Sequence, residues 1–331
     1  MKICIYGLGA IGGLMAARLA GHGATVSAVA RGATLETVRR QGLTLIEPMA
    51  TDGEARSSRV PLRVSADPAQ LGPQDLVILA VKTTGLQAIA STIAPLIGPG
   101  TTILSAMNGV PWWFFHGLAH GLAAPQLSSV DPSGALAAAI PPQRVVGCVT
   151  HLSASTPGPG VVRHIAGNRL IVGEPMGGAG TDRARHIVGA LRHAGFDVEE
   201  AASIQREIWF KLWGNMTVNP ISAITGATGD RILDDELVRQ FMTRCMHEAA
   251  AIGARIGLPI EGDPESRHAL TRKLGAFRTS MLQDIEAGKP VELDALVGAV
   301  RDIARQVQVP TPDIDALFGL ARLQARVRGL Y

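Results

Sequence analysis

The first twenty residues restrict the fold more than any other stretch of the chain. The apolar run Lys2-Ile3-Cys4-Ile5-Tyr6 leads directly into Gly7-Leu8-Gly9-Ala10-Ile11-Gly12, and Leu14-Met15-Ala16-Ala17-Arg18-Leu19 continues with helical spacing. A strand, a G-x-G-x-x-G turn and a helix in this order form the phosphate-binding unit of a dinucleotide site. Gly7 permits the tight turn, Gly9 lets the backbone approach a pyrophosphate, and Gly12 lets the helix pack close to the strand. Leu8, Ala10 and Ile11 complete the loop. The phosphates would sit on the free N–H groups at the helix N-terminus, where the macrodipole favours anions. A plain glycine-rich turn would need neither the apolar run before the motif nor the helical pattern after it.

The second apolar run, Ala24–Ala30, ends at Arg31-Gly32 with no Asp or Glu at its tip. An acid there would bond the ribose 2′-hydroxyl of NAD, whereas a guanidinium suits the 2′-phosphate of NADP in charge and shape. Arg31 therefore indicates NADP(H). A solvated surface arginine is the other reading, and the missing acid argues against it.

The chain has 331 residues, enough for two domains with a large core; 47% are hydrophobic and 18% charged, as in a globular protein. A net charge of +3, no Lys/Arg block and only 4% aromatics argue against nucleic-acid binding. The mild positive balance suits anionic substrates. Cys4, Cys148 and Cys245 show no C-x-x-C or metal spacing and are read as buried free thiols in a reducing compartment. The nine histidines are scattered, so no metal site is expected. No apolar run is long enough for a membrane span. With a strand beginning at residue 2 and no leader pattern, the chain reads as cytoplasmic.

Strands are expected at 2–6, 25–30, 75–81, 101–106, 144–150, 161–166, 169–173 and 196–200, with looser strand character near 43–64. The run 75–81 is nearly all apolar, as a parallel strand buried on both faces should be. Beyond residue 200 the pattern is helical, at 203–218, 234–257, 264–287, 291–308 and 313–328, with Pro220 ending the first of these. Asp263-Pro264 and Thr311-Pro312-Asp313 look like helix starts. The expected organisation is a doubly wound α/β domain over 1–202 and an all-helical domain over 203–331.

The block Glu207-Ile-Trp-Phe-Lys211-Leu-Trp-Gly-Asn215-Met-Thr-Val-Asn219-Pro220 sets Lys211, Asn215 and Asn219 on one helix face among bulky apolar neighbours. Buried polar side chains need partners, and a ligand would supply them; an ion pair between Lys211 and Glu207 is the structural alternative. Lys82 closes the strand 75–81, and Asn108-Gly109 comes after the strand 101–106, both at the sheet edge where ligands bind in open α/β folds. Ser280 lies in a helical pattern, and Glu292 stands at a helix start. Each could instead be structural: a snorkelling lysine, a turn, a hydroxyl bonded to a helix carbonyl, a dipole-favoured charge.

Taken together, GLGAIG, Arg31, Val81-Lys82, Met107-Asn108-Gly109, EIWFKLWGNMTVNP at 207–220, TSMLQDI at 279–285 and VELDAL at 291–296 resemble the ketopantoate reductase (2-dehydropantoate 2-reductase) family over nearly the whole chain. The resemblance implies an α/β N-terminal Rossmann domain and an all-α C-terminal domain like that of 6-phosphogluconate dehydrogenases. It implies Lys211 as proton donor and Asn108, Asn215, Asn219 and Ser280 as substrate-binding residues. The loop Gly7–Gly12, Arg31, Lys82, Asn108 and Glu292 fall on the NADPH side, with Asn108 near the reacting end and no metal involved. Hydride transfer to a ketone builds negative charge on oxygen, which an ammonium in hydrogen-bond reach stabilises and protonates. The implied activity is NADPH-dependent reduction of a small 2-oxo acid, ketopantoate first. The alternatives are a 3-hydroxy acid dehydrogenase of the 6-phosphogluconate dehydrogenase type and a non-catalytic NADPH-binding sensor. Ala- and Leu-rich C-terminal helices permit a homodimer without requiring one.

One region departs from the family pattern. Trp112-Trp113-Phe114-Phe115 come soon after Asn108-Gly109, and a long stretch then runs to Arg144. The aromatics suit either a wall or lid at the substrate site or packing against the helical domain or a second subunit.

Overall fold

The structure, a computed structural model, describes residues 1–48, 55–118, 126–178 and 180–331. The chain divides into two compact units, one formed by Met1–Met107 and Ala135–Ile204, the other by Asn108–Gly134 and Gln205–Tyr331. Residues 108–134 thus belong with the helices, whereas the sequence assigned everything up to 202 to the first domain. Phe114 packs on Trp209 and the Val110 N–H donates to the Ala295 carbonyl, partners distant in the chain that a local sequence pattern does not reveal.

Among its described residues the first unit holds ten strands: β1 (Lys2–Tyr6), β2 (Thr25–Val29), β3 (Leu43–Pro48), β4 (Ala55–Val60), β5 (Arg63–Ser65), β6 (Gln74–Leu79), β7 (Ile97–Ser105), β8 (Val145–Gly158), β9 (Val161–Gly173) and β10 (Asp197–Glu200). Its helices are α1 (Ala10–Gly21), α2 (Gly32–Gln41), α3 (Leu86–Ala90), α4 (Ala135–Ala139) and α5 (Asp182–His193). The strands β5-β2-β1-β6-β7-β8 pair in parallel, the strand order of dinucleotide-binding doubly wound sheets. The antiparallel strand β9 extends the sheet beyond β8 and pairs with β3 along its first half and with β10 along its second. The Rossmann-type α/β reading holds. β1 and β6 are buried on both faces, which is why they read as nearly unbroken apolar runs.

Several strand bounds differ from the sequence reading: β6 ends at Leu79 and not 81, β7 begins at Ile97 and not 101, and β8 runs on to Gly158 past the expected end at 150. The stretches 161–166 and 169–173 form one strand, β9. Gly167-Asn168 looks like a turn in sequence, but Gly167 takes φ +71° opposite a register shift in β8, and the pairing continues past it. An added Cβ at Gly167 would lie 2.5 Å from the carbonyl oxygen of His151, so the two backbones touch there. The loose strand region 43–64 resolves into the antiparallel pair β3–β4, with residues 49–54 outside the described residues.

The second unit contains α6 (Ile204–Thr225), α7 (Gly229–Asp234), α8 (Glu236–Arg255), α9 (Pro264–Arg272), α10 (Ser280–Glu286), α11 (Ala299–Val307) and α12 (Pro312–Val327), with a π-turn at Asp294–Gly298 leading into α11. Pro220 does not end α6. A proline inside a helix costs about 3 kcal/mol. Burying a large apolar side chain returns roughly 1.5–3 kcal/mol, and Met216, Val218 and Ile221 are all buried around the proline. The stretch 234–257 breaks at Asp235, whose carboxylate accepts the Val238 N–H and caps α8. The stretch 264–287 breaks before Thr279, which caps α10. Asp263 caps α9 as the sequence suggests, but the start of α12 is capped from elsewhere, by Glu248 of α8, whose carboxylate accepts from the backbone of Asp313 and Ile314 at 3.0 Å each.

α6 is buried nearly all round, as its sequence predicts. The Trp213 indole donates to the Met246 carbonyl of α8 at 2.7 Å. Gly253 of α8 makes room for Trp209, since a Cβ there would lie 2.4 Å from the indole nitrogen. The aromatic run belongs to this core: Trp113, Phe114 and Phe115 are buried, and the Phe114 ring lies 6.0 Å from Trp209. Gln205 fixes its end by donating to the His116 carbonyl at 2.8 Å. Packing against the helical domain is therefore the arrangement adopted. The long stretch beyond the aromatics includes residues 119–125, outside the described residues.

Candidate active site

In the first unit the expected cofactor residues gather at the carboxyl ends of β1, β2 and β6. The backbone turns at Gly7, which adopts φ +101° and donates to the Val29 carbonyl. A Cβ at Gly7 would meet Val81 at 2.7 Å, and one at Gly12 would meet the Gly7 carbonyl oxygen at 2.0 Å, the Ala80 Cβ at 2.9 Å and Ile5 at 3.1 Å. Both positions are closed to any side chain by their neighbours. Gly9 is different: nothing lies within 4 Å of its would-be Cβ. It is the N-cap of α1, has no capping side chain, and is followed by a first turn without acids. The N–H groups of that first turn have no partner inside the helix and suit a phosphate. Two glycines required for close packing and one that leaves open space over a helix N-terminus fit a dinucleotide pyrophosphate.

Arg31 is exposed at the tip of β2 and is the N-cap of α2, whose first turn also lacks an acid. Lys82 is placed slightly differently from the sequence reading. β6 ends at Leu79, and Ala80 and Val81 form a turn that packs on Gly7 and Gly12. Lys82 comes next as the N-cap of a short 3-10 turn, half-buried and three residues past the strand. Lys82 thus follows directly on the Ala80-Val81 turn that packs against the glycine loop.

The second unit carries the other set, and Lys211 and Asn108 are the two that it shows in direct contact. Lys211 and Asn215 are half-buried and Asn219 is buried on one face of α6. The Lys211 ammonium donates to Asn108 Oδ1 at 2.8 Å. Gly109 and Val110 hold Asn108 in place. Gly109 takes φ +80° and lies flat against the π-turn, where an added Cβ would be 2.6 Å from the Ala295 carbonyl oxygen. Val110 then donates its N–H to that same oxygen at 2.9 Å. Glu292 is half-buried just before the π-turn. Ser280 is the first residue of α10 and exposed, rather than inside a helix as its local pattern suggests. The break has a clear cause: the buried Thr279 hydroxyl caps α10 by accepting the Leu282 N–H at 3.1 Å.

Ala295 is the residue that sequence reasoning misses. It acts through a carbonyl, and its partner is distant in the chain. The only local signals are the Asn-Gly pair and the apolar run around 295. Among the described residues no cluster of His, Cys, Asp and Glu could hold a metal ion, and no helix is long and apolar enough to cross a membrane.

This arrangement offers a charged donor, an amide fixing its position, and further amides along the same helix face, all suited to a small ligand with carbonyl and hydroxyl oxygens. Comparisons with known proteins give the family. Residues 3–177 match the model of the family described as ketopantoate reductase PanE/ApbA, and residues 203–325 match that of its C-terminal domain. A 2-dehydropantoate 2-reductase from Mesorhizobium japonicum is 44% identical over 332 residues, covering 100% of both chains. The crystal structure of a candidate ketopantoate reductase from Ralstonia solanacearum MolK2 is 54% identical, covers 100% of this chain and 99% of that one, and superposes with a TM-score of 0.92. A PanE/ApbA family ketopantoate reductase from Ralstonia eutropha JMP134, 25% identical over 99% of this chain and 100% of its own, gives a TM-score of 0.83. With both of its units matched and a full-length relative at this identity, the chain belongs to the ketopantoate reductase family, oxidoreductases that act on a CH–OH group.

Proposed function

We propose that this protein reduces 2-dehydropantoate to pantoate with NADPH, and that Lys211 donates the proton. The observation that carries this reading is the Lys211–Asn108 hydrogen bond at 2.8 Å, on a helix face that continues through Asn215 and Asn219. The dinucleotide supplies the hydride. The loop Gly7–Gly12 holds its pyrophosphate on the N-terminus of α1, and Arg31 with the N-terminus of α2 holds the 2′-phosphate. Lys82 adds a positive charge beside the glycine loop. An acid at the tip of β2 would favour NAD, and Arg31 stands there instead.

Lys211 does two things in this reading. Its ammonium attracts the carbonyl oxygen on which negative charge develops, and it then passes a proton from Nζ to that oxygen. Asn108 keeps the ammonium in one place by accepting one of its three hydrogens. Asn215 and Asn219 orient the substrate without adding charge, since amides donate and accept while staying neutral. The Ser280 hydroxyl and the Glu292 carboxylate complete the polar set.

The test is NADPH oxidation with ketopantoate beside a panel of other 2-oxo acids and 3-oxo acids, with Lys211→Ala as control. The expected result is efficient turnover of ketopantoate that falls about a hundred- to ten-thousand-fold in the variant, with NADPH affinity nearly unchanged. A better substrate elsewhere in the panel reassigns the substrate, and turnover retained by Lys211→Ala removes Lys211 from the mechanism.

A further inference from the structure

The π-turn that supports Asn108 is itself held from its far side by residues with no part in the proposed chemistry. The Val291 N–H donates to the Leu330 carbonyl at 3.1 Å, and the Tyr331 hydroxyl donates to Asp294 Oδ1 at 2.8 Å. Asp294 is the first residue of the π-turn, and its Oδ1 lies against Gly298, the last, at 3.1 Å from where a Cβ would be. The Tyr331 ring is held in turn by the Arg326 guanidinium, 5.2 Å from its centroid. Residues 330–331 thus hold the segment at Val291, ahead of the π-turn, and at Asp294, its first residue.

That segment has a demanding geometry. A π-turn is wider than an α-turn, intrinsically rare and found often at functional sites. Here its Ala295 carbonyl points out to accept from Val110 and leaves so little space that only glycine fits at 109. Any shift of Ala295 moves Gly109 and Val110, and Asn108 moves with them. The path from Tyr331 Oη to Asp294, through the π-turn to Ala295, on to Asn108 and so to Lys211 Nζ is continuous, with hydrogen bonds of 2.8, 2.9 and 2.8 Å. Burial, together with the neighbouring Asp294, pushes the Tyr331 hydroxyl up to about 12, so it stays a donor across the neutral range.

We propose that Tyr331 is a positioning residue: by holding Asp294 it fixes the π-turn whose Ala295 carbonyl places Asn108 against the Lys211 ammonium. The proposal rests on the roles proposed for Lys211 and Asn108. It has a consequence that does not depend on turnover. Tyr331→Phe removes one oxygen from a partly exposed ring, and amide exchange at Val110 should rise about threefold or more as the hydrogen bond to Ala295 opens. Asp294→Ala should do the same, whereas Asp294→Asn, which keeps an oxygen to accept from Tyr331, should retain the wild-type rate.

The kinetic arm is a double-mutant cycle. Tyr331→Phe should lower kcat about 3- to 10-fold by misplacing the donor, with little change in KM for the dinucleotide. In an Asn108→Ala background the same change should have no further effect, because the path has already been cut. An equal loss in both backgrounds would show that Tyr331 acts elsewhere, and an unchanged Val110 exchange would overturn the proposal outright. If the wild-type protein turned over no 2-oxo acid, the reading of the reaction would fail, and the exchange measurement would still decide the role of Tyr331.

Discussion

Gly12 and Gly9 belong to one six-residue motif, yet the structure gives them opposite vulnerabilities. A methyl group at Gly12 would lie 2.0 Å from the Gly7 carbonyl oxygen, 2.9 Å from the Ala80 Cβ and 3.1 Å from Ile5. Comfortable contacts need about 3.5–4.0 Å, and the nearest obstacle is backbone that cannot rotate away. α1 would have to lift from β1, loosening Leu14, Met15 and Ala16, all fully buried. Overpacking of this kind costs about 3 kcal/mol at the upper end of its usual range. Replacing a helical glycine by alanine returns about 1 kcal/mol. The net loss in Gly12→Ala is therefore about 2 kcal/mol, or a fall in Tm of about 4–8 °C for a unit of this size. Gly9→Ala meets nothing within 4 Å and keeps an ordinary extended backbone, φ −78° and ψ −164°. Its stability should stay within about 0.5 kcal/mol of wild type, while NADPH binding weakens about tenfold or more as the methyl occupies the pyrophosphate's approach. Thermal unfolding monitored by circular dichroism and a fluorescence titration with NADPH read the two effects separately. A Gly12→Ala protein with unchanged Tm would refute the packing argument, and a Gly9→Ala protein that binds NADPH like wild type would refute the placement of the pyrophosphate.

Other expectations come from single residues. Arg31→Ala should weaken NADPH binding about ten- to a hundredfold, the worth of one or two hydrogen bonds to a charged group, and leave NADH nearly untouched; equal loss for both in parallel titrations would remove Arg31 from cofactor selection. Glu174 is buried, which pushes its pKa up, but hydrogen bonds from Arg183 and Thr181 outweigh burial and hold it below the usual 4.5. A carboxylate lowered on folding adds stability above its unfolded pKa and loses it as pH falls through the folded one. Urea melts at a series of pH values below 4.5 should therefore show a flatter acid limb for Glu174→Gln than for wild type. Cys4, Cys148 and Cys245 are all buried, and burial pushes the thiols of Cys4 and Cys245 up to about 12. A thiol reagent should label none of the three in the native protein and all three in denaturant; rapid native labelling would contradict that burial.

Much of this protein is legible in local pattern. Ile3–Tyr6, the glycines and Leu14–Leu19 imply the first strand–turn–helix unit because strand, turn and helix chemistry all agree within a short stretch. Arg31 is legible for the same reason, since the tip of β2 is a fixed distance from the glycine loop. The spacing of Lys211, Asn215 and Asn219 places them on one helix face wherever that helix packs. What local pattern misjudges are the competitions between short-range preference and burial. Pro220 should stop α6, and the apolar side chains around it carry the helix through. Gly167-Asn168 should turn, and the β8–β9 pairing runs past it. Ser280 should be mid-helix, and the buried cap Thr279 starts a new helix just before it.

The sequence alone therefore settles the dinucleotide-type sheet, its glycine loop and the polar face of α6, because each depends on residues a few positions apart whose geometry is dictated by backbone period. Tertiary structure decides what those residues touch. It assigns 108–134 to the helical unit, buries Trp113, Phe114 and Phe115 with Phe114 against Trp209 of α6, brings Asn108 to Lys211, and sets the Ala295 carbonyl against Gly109. Those contacts join segments far apart in the chain, and only the packing of one apolar core around both can specify them.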